Sequence, residues 1–141
     1  MNEDGSFEIK DVPGGNWQLA VGARSERFRD YYTKSVLLSG REVVDTGFAV
    51  SSGTVLDVVV SPKGAEIDGT VVDGNGKPVA RAMVGTAPSS GKLGRPDAYQ
   101  EDQTNEDGRF VLRGMNPGAF VVLAFEEIRE NYRTAEFVKK Y

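Results

Sequence analysis

The chain contains one stretch of sequence twice, and this internal repeat most limits the folds that it can adopt. Residues 2–21 read NEDGSFEIKDVPGGNWQLAV, and residues 105–124 read NEDGRFVLRGMNPGAFVVLA. Each copy opens with Asn-Glu-Asp-Gly, a turn sequence in which Gly can take a positive φ. An alternating apolar run follows, then a second turn and another alternating run, which is the pattern of half-buried strands. The repeat therefore predicts short strands joined by tight turns.

The alternation also predicts which side chains face a core. Phe7 and Ile9 share one face of the first predicted strand, and Trp17 shares a face of the next with Leu19. Trp17 is the sole Trp and corresponds to Phe120 in the second copy. An exposed Trp would suit stacking on a sugar, but this alternation places Trp17 in the core.

The middle of the chain follows the same pattern. Strand-like runs alternate with turn sequences, and the last residues have a helical pattern with Thr134 as the N-cap. The predicted strands are 56–60, 66–73 and 79–84; 73–78 is a turn, 87–97 a long polar loop and 134–141 the helix. Many short strands with Gly and Pro turns predict an all-β sandwich with at most one short C-terminal helix.

The runs GTVVDGNGKPVARAMV at 69–84 and TNEDGRFVLRGMNPGAFVVLA at 104–124 together resemble the carboxypeptidase regulatory-like domain. GTVVDGNGKPVARAMV resembles the front of its pattern, and TNEDGRFVLRGMNPGAFVVLA resembles its second half. The first run is matched at Gly69, Val71, Asp73, Gly76, Pro78, Val79, Ala82 and Val84, and the second at Thr104, Gly108, Phe110, Leu112, Pro117, Gly118 and Phe120. Gly14 departs from the pattern, which prefers Pro. The resemblance implies a Greek-key β-sandwich of the transthyretin-like and carbohydrate-binding-like type, non-catalytic and often in tandem in secreted or outer-membrane bacterial proteins.

The positions of the two repeat copies in the chain predict the domain organisation. The first copy lacks the GTVVDGNGKPV strands that precede the second, so we expect 1–62 to be the C-terminal half of a first module. Residues 63–141 would then be a second module without its closing strands. The alternative is one permuted module over 1–103 with a partial repeat at 104–141, since permutation is tolerated where module ends lie close together.

Composition excludes several classes of function. The chain has 141 residues, no Cys and no His, which excludes disulfides, thiolate zinc sites and histidine-based triads. A net charge of −4 without a basic run argues against a nucleic-acid partner. No apolar stretch is long enough to predict a membrane span. We expect no catalytic residue, no metal ligand and no cofactor.

Three tyrosines are the best candidates for ligand contacts. Tyr31 and Tyr32 are adjacent, so in a strand one of them would face away from the core, and Tyr99 follows the long polar loop. An exposed aromatic ring in a loop suits contact with a sugar or a peptide. The alternative for all three is ordinary packing at a sheet edge.

Other candidate motifs favour structural interpretations. The turn at Asp73 lacks the spacing of a calcium loop, and the run GTAPSSGK at 85–92 lacks the spacing of a phosphate loop. Glu126, Glu127 and Glu130 lie among basic residues, which favours a solvated surface over a pair of catalytic carboxylates.

The sequence therefore predicts a non-catalytic β-sandwich module. The resemblance implies an extracytoplasmic location, either periplasmic, outer-membrane associated or secreted. The leading expected partner is a polysaccharide. The alternative is a structural spacer or a protein–protein interaction module, which could add a strand at an open sheet edge.

Overall fold

The computed structural model describes residues 4–22, 26–89, 94–125 and 132–138. Its strands are β1 (Gly15–Trp17), β2 (Tyr32–Leu38), β3 (Arg41–Glu42), β4 (Phe48–Val50), β5 (Leu56–Ser61), β6 (Ala65–Thr70), β7 (Met83–Pro88), β8 (Glu101–Gln103), β9 (Arg109–Met115) and β10 (Phe120–Phe125). One short helix, α1, spans Ala135–Val138, and 3-10 turns span Glu26–Phe28 and Pro96–Ala98. The prediction of an all-β sandwich with at most one short C-terminal helix is confirmed for the described residues.

The described strands form four small antiparallel sheets. Their orders are β1–β4, β3–β2–β5, β10–β7–β8 and β6–β9. Every pair joins two strands on the same side of residues 62–64, so we call residues 4–61 the N-terminal unit and residues 64–138 the C-terminal unit. Consecutive strands β9 and β10 lie in different sheets, so the MNPG turn carries the chain from one sheet to the next.

Apolar side chains gather in three clusters. One lies in the N-terminal unit and is formed by Val36, Val43, Val44 and Phe48. The second lies between β6, β7 and β9 and is formed by Val84, Phe110, Leu112 and Met115. The third brings α1 against β7 and is formed by Ala87, Ala98, Tyr99, Tyr132 and Phe137.

The second copy of the repeat folds as its pattern predicts. Asn105 Oδ1 accepts hydrogen bonds from the amides of Asp107 at 3.0 Å and Arg109 at 2.9 Å. Gly108 has a φ of +72°, and a side chain there would meet the Val71 carbonyl. The turn leads into β9, whose inward residues include Leu112, 1% exposed.

The first copy does not follow its pattern, and two predictions about it are wrong. Residues 6–10 form no strand, and Phe7 and Ile9 are 43% and 64% exposed. Trp17 is 42% exposed rather than buried, and its Nε1 donates to the Pro13 carbonyl at 2.9 Å. In the second copy β6 covers β9, whereas no strand of the described residues pairs with residues 6–10. Without a neighbouring strand these apolar side chains stay in solvent.

Two local predictions for the C-terminal unit, a turn at 73–78 and an N-cap at Thr134, are confirmed. Asp73 Oδ1 accepts hydrogen bonds from the amides of Lys77 at 2.9 Å and Asn75 at 2.8 Å, so the turn at 73–78 binds its own backbone. These amides hold the pKa of Asp73 below its usual value. Thr134 Oγ1 accepts the Phe137 amide at 3.2 Å, which is the predicted N-cap. The strand predicted at 79–84 begins later, at Met83.

Candidate functional site: a buried arginine and the groove beside it

The most deeply buried charged group in the described residues is the guanidinium of Arg95, which is 3% exposed. Pro96 begins the 3-10 turn, and this turn brings the Asp97 side chain back to Arg95. Arg95 Nε lies 2.8 Å from Asp97 Oδ1, and Arg95 Nη2 lies 2.6 Å from Asp97 Oδ2. Two parallel bonds of this kind match the planar guanidinium to the carboxylate.

The same guanidinium connects the C-terminal unit to the N-terminal unit. Arg95 Nη2 also donates to the Thr33 carbonyl at 2.5 Å. Arg95 Nη1 lies 3.4 Å from Asp45 Oδ1, whose side chain is 44% exposed. Thr33 is in β2 and is fully buried, so this contact lies inside the protein. One side chain therefore binds a carboxylate of each unit and a backbone carbonyl of the N-terminal unit.

Charge compensation explains how the guanidinium tolerates burial. Burial by itself lowers the pKa of Arg95, because the charged form is separated from water. The carboxylates of Asp97 and Asp45 oppose this, and the net pKa is raised above its ordinary value. Arg95 is charged at all ordinary pH values, and its removal would leave the buried Asp97 carboxylate without a counter-charge.

Two glycines bring the backbones of the units together at a second point. The Gly64 amide donates to the Asp30 carbonyl at 2.8 Å. A side chain on Gly114, which has a φ of +69°, would lie 2.5 Å from the Arg29 carbonyl oxygen. A side chain on Gly64 would lie 2.7 Å from the Gly114 Cα. We call these contacts, together with those of Arg95, the junction.

A groove of about 490 Å³ lies beside the junction. The N-terminal unit lines it with residues 20–22, Arg29 and Tyr31, and the C-terminal unit lines it with 96–97, 100–102 and 111–114. The groove is therefore built from both units, and its shape depends on the junction. Seven of its fourteen lining residues are polar or charged.

Polar groups along the groove are fixed by internal bonds. Asp102 Oδ2 accepts the Val111 amide at 2.8 Å, and Gln100 Nε2 donates to the Asp97 carbonyl at 3.4 Å. Glu101 Oε1 accepts the Tyr132 hydroxyl at 2.6 Å and an Arg133 nitrogen at 2.9 Å. The Tyr132 hydroxyl, followed by Arg133, lowers the pKa of Glu101. The carboxylates of Glu101 and Asp102 therefore accept hydrogen bonds from groups of the protein itself.

The structure separates the three tyrosines predicted from sequence. Tyr31 lines the groove, is half-buried and packs its ring edge-on to Phe28, with ring centroids 5.2 Å apart. Tyr32 begins β2 opposite Ser61 and is half-buried, away from the groove lining. Tyr99 is 9% exposed, so the expectation that it is an exposed aromatic is wrong.

Tyr99 is buried because the chain after Arg95 turns into the protein. Its ring packs edge-on to Tyr132, with ring centroids 6.4 Å apart, beside Ala98, which is fully buried. Burial raises the pKa of the Tyr99 hydroxyl. The end of the predicted polar loop is thus a core element rather than a solvated one.

Comparisons of the chain with family models, curated proteins and solved structures find no match. The resemblance to the carboxypeptidase regulatory-like domain accordingly rests on the sequence motifs alone. No helix among the described residues is long and apolar enough to cross a membrane. Within those same residues, no three His, Cys, Asp or Glu side chains gather where they could hold a metal ion.

The remaining candidate motifs fall partly outside the described residues. Glu126, Glu127 and Glu130 lie outside them, as does the 90–92 end of the GTAPSSGK run. Residues 85–88 of that run lie in β7, where Thr86 and Ala87 are fully buried. This part of the run is a core strand.

Sequence reasoning missed Arg95, Asp97 and Asp45. The loop reads as polar, and its charges suggest solvent exposure. The partners of Arg95 in the N-terminal unit lie 50 and 62 residues away along the chain. The Arg-Pro-Asp spacing, which allows a turn to pair the two charges, was the local signal that could have identified the site.

The hydroxyl of Tyr132 gives a pH test of this region. Burial, followed by the bond to Glu101, raises the pKa of Tyr132 from 10.0 to about 12. Between these values the unfolded chain loses this proton while the folded chain keeps it, so the free energy of unfolding falls as the pH rises. We expect urea unfolding from pH 9 to pH 12 to show a steeper fall for the wild type than for Tyr132→Phe. Parallel curves would contradict this placement of the hydroxyl.

Proposed function

We propose that the chain is a non-catalytic β-sandwich spacer module of an extracytoplasmic bacterial protein. The observation that carries the proposal is the junction, in which the buried Arg95 binds Asp97, the Thr33 carbonyl and Asp45. The motifs that resemble the carboxypeptidase regulatory-like domain support the location and the non-catalytic character.

A spacer must hold its units at a fixed separation, and the junction meets this requirement. Units joined by an exposed linker move freely, because few contacts cross the boundary. Here Arg95 is almost entirely buried, and Gly64 and Gly114 bring the backbones into direct contact. Reorienting the units would expose the Arg95–Asp97 pair and break the bond to Thr33. The energy of these contacts favours one arrangement of the units.

The absence of Cys from the sequence allows a direct measurement of stiffness. Spin labels on Ser52→Cys and Lys77→Cys, both exposed positions, would report the distance between the units by pulsed electron paramagnetic resonance. We expect one narrow distance distribution in the wild-type background. Arg95→Lys keeps the charge but loses the planar pair of bonds, so the distribution should widen.

Arg29→Lys provides the matched control, since the Arg29 side chain forms an exposed ion pair with Glu26, and the substitution keeps the backbone carbonyl that belongs to the junction. It should leave the distance distribution unchanged. A broad distribution in the wild-type background would overturn the spacer proposal. Equal widths for the wild type and Arg95→Lys would instead show that Arg95 does not fix the arrangement.

A second candidate function, carbohydrate binding, is favoured by the position of Tyr31 in the groove. Sugar sites combine an aromatic face with polar groups in fixed positions. Tyr31 offers the aromatic ring, and Gln100 and Asp102 are held in place by backbone bonds. The groove is open and polar, which suits a hydrated polysaccharide segment better than an apolar ligand.

Two-dimensional amide NMR with a panel of polysaccharide fragments tests this second function. We expect shifts that cluster at Tyr31, Gln100 and Asp102, and we expect Tyr31→Ala to weaken binding by about tenfold or more, a loss typical of an aromatic contact. Tyr32→Ala is the control, because Tyr32 lies outside the groove lining. An unchanged spectrum at millimolar sugar would count against carbohydrate binding for that panel, and it would leave the spacer proposal intact.

A further inference from the structure

Residues 5–12 of the first repeat copy retain backbone features of residues 108–115 in the second copy, but no strand of the described residues pairs with them. Gly5 and Asp11 have φ values of +85° and +57°, and they correspond to Gly108 and Gly114, with φ values of +72° and +69°. Asp11 adopts this conformation although it is not a glycine, which is uncommon. The backbone of residues 5–11 therefore matches that of β9 at both left-handed positions.

The second copy shows what normally covers such a strand. In β9, Phe110 lies opposite Gly69 and Leu112 lies opposite Ile67 of the antiparallel strand β6. Both β9 side chains are buried there, at 8% and 1% exposed. Their counterparts Phe7 and Ile9 are exposed, and the part of the chain that the structure describes gives them no strand equivalent to β6.

The two repeat copies also share a basic residue at the same position. Lys10 corresponds to Arg113, whose Nε lies 3.0 Å from the Glu66 carboxylate of β6. In the first copy Lys10 pairs instead with its neighbour Glu8 at 3.6 Å, and both side chains are about three-quarters exposed. An acidic side chain on an incoming strand would meet Lys10 as Glu66 meets Arg113.

The packing of Phe110 indicates that a strand pairing with residues 5–12 needs a glycine opposite Phe7. A side chain on Gly69 would lie 2.7 Å from the Phe110 ring, so this ring lies directly over the partner backbone. Phe7 has the same residue type at the same repeat position. A partner strand needs Gly opposite Phe7 for the same packing.

We propose that residues 5–12 are a docking edge for an extended antiparallel strand of a different protein. That strand carries Gly opposite Phe7, an aliphatic residue opposite Ile9 and an acidic residue next to Lys10. Main-chain bonds along such an edge supply affinity, and alternate side chains supply specificity. This partner site is separate from the groove and from the junction, so it goes beyond both proposed functions.

The chain supplies its own probe for the test. A capped peptide with the sequence of residues 65–72, AEIDGTVV, has the required pattern and would be titrated into isotope-labelled protein. We expect amide shifts confined to residues 5–12 and their neighbours, with slowed hydrogen exchange at alternate amides. Binding should weaken at least about tenfold for a peptide with Val in place of Gly69, which corresponds to about 1.4 kcal/mol.

Exposed positions on the protein allow matched variants that keep the fold. Ile9→Ser should lose the peptide shifts, whereas Val55→Ser, at a position 74% exposed and outside the repeat, should keep them. Lys10→Glu should weaken binding, and a peptide with Lys in place of Glu66 should restore it. Restored binding after both charges are exchanged would show that position 10 of the protein contacts position 66 of the peptide. Nonspecific apolar binding would not depend on these charges.

Three results would overturn the proposal. The first is an unchanged spectrum at millimolar peptide. The second is a set of shifts centred on β9, which would show that the peptide replaces β6 instead. The third is concentration-dependent dimerisation of the protein that blocks residues 5–12 without peptide, measured by analytical ultracentrifugation, which would identify a second copy as the occupant.

Discussion

Arg95→Ala is expected to lower the free energy of unfolding by about 3–5 kcal/mol, the usual cost of removing one partner from a buried ion pair. The substitution leaves the Asp97 carboxylate, 9% exposed, without its counter-charge, and it leaves the Thr33 carbonyl without this donor. It also empties the space that the side chain fills between the two units. Urea unfolding followed by circular dichroism measures the change.

Arg29→Ala is the appropriate comparison, because the Arg29–Glu26 pair at 2.6 Å is exposed. Exposed pairs contribute between zero and about 1 kcal/mol, so this variant should unfold near the wild-type midpoint. The short distance alone therefore does not predict the effect; burial does. If the two variants lost equal stability, the junction would not be the buried charge pair that the structure places there.

The second large effect is expected from the repeat itself. Leu112→Ala should cost about 2–5 kcal/mol, because Leu112 is 1% exposed and packs against β6 and β7. Its counterpart Ile9 is 64% exposed, so Ile9→Ala should change stability by less than about 0.5 kcal/mol. Both changes remove an aliphatic side chain at the same position of the same repeat. The contrast measures the contribution of the covering strand.

Chemical denaturation of the two variants under one set of conditions checks this contrast. Similar losses would mean that residues 5–11 are packed in solution, against the exposure of Phe7 and Ile9. Adding the AEIDGTVV peptide gives a further comparison, since the docking proposal predicts that Ile9→Ala becomes costly only when the peptide is bound. The Leu112→Ala loss should not depend on the peptide.

The parts of the fold that sequence predicted are those that local chemistry determines. The turns at 73–78 and 105–108 are fixed by Asx side chains that bond to amides a few residues on, and α1 is capped by Thr134. Such signals depend on neighbours in the chain, which a sequence displays directly. The all-β class followed because these turns recur between short alternating runs.

The errors concern contacts that depend on distant residues. Phe7 and Ile9 have the alternation of a half-buried strand, but burial requires a neighbouring strand, and the pattern does not show whether one is present. The alternation and the match to Phe120 predict Trp17 in the core, but Phe120 lies opposite Pro88 of β7, whereas Trp17 lies opposite Phe48 of β4. The pattern of one strand cannot identify what covers it.

The candidate site was predictable only in part. The sequence predicts Tyr31 as an aromatic for ligand contact, and Tyr31 does line the groove; ligand binding there stays a prediction. The polar loop before Tyr99 predicts an exposed ring, yet Tyr99 is buried in a cluster with Ala98 and Tyr132. Arg95 was missed because its cross-unit partners come from β2 and from the chain before β4, far away in sequence.

The confinement of strand pairing to one side or the other of residues 62–64 has a kinetic consequence. Each unit can complete its hairpins without closing a loop that spans the boundary, and short loops close fastest. Docking of the two units, with desolvation of Arg95, then becomes a separate late event. We expect stopped-flow refolding to show two phases, of which Arg95→Lys slows the second and leaves the first unchanged.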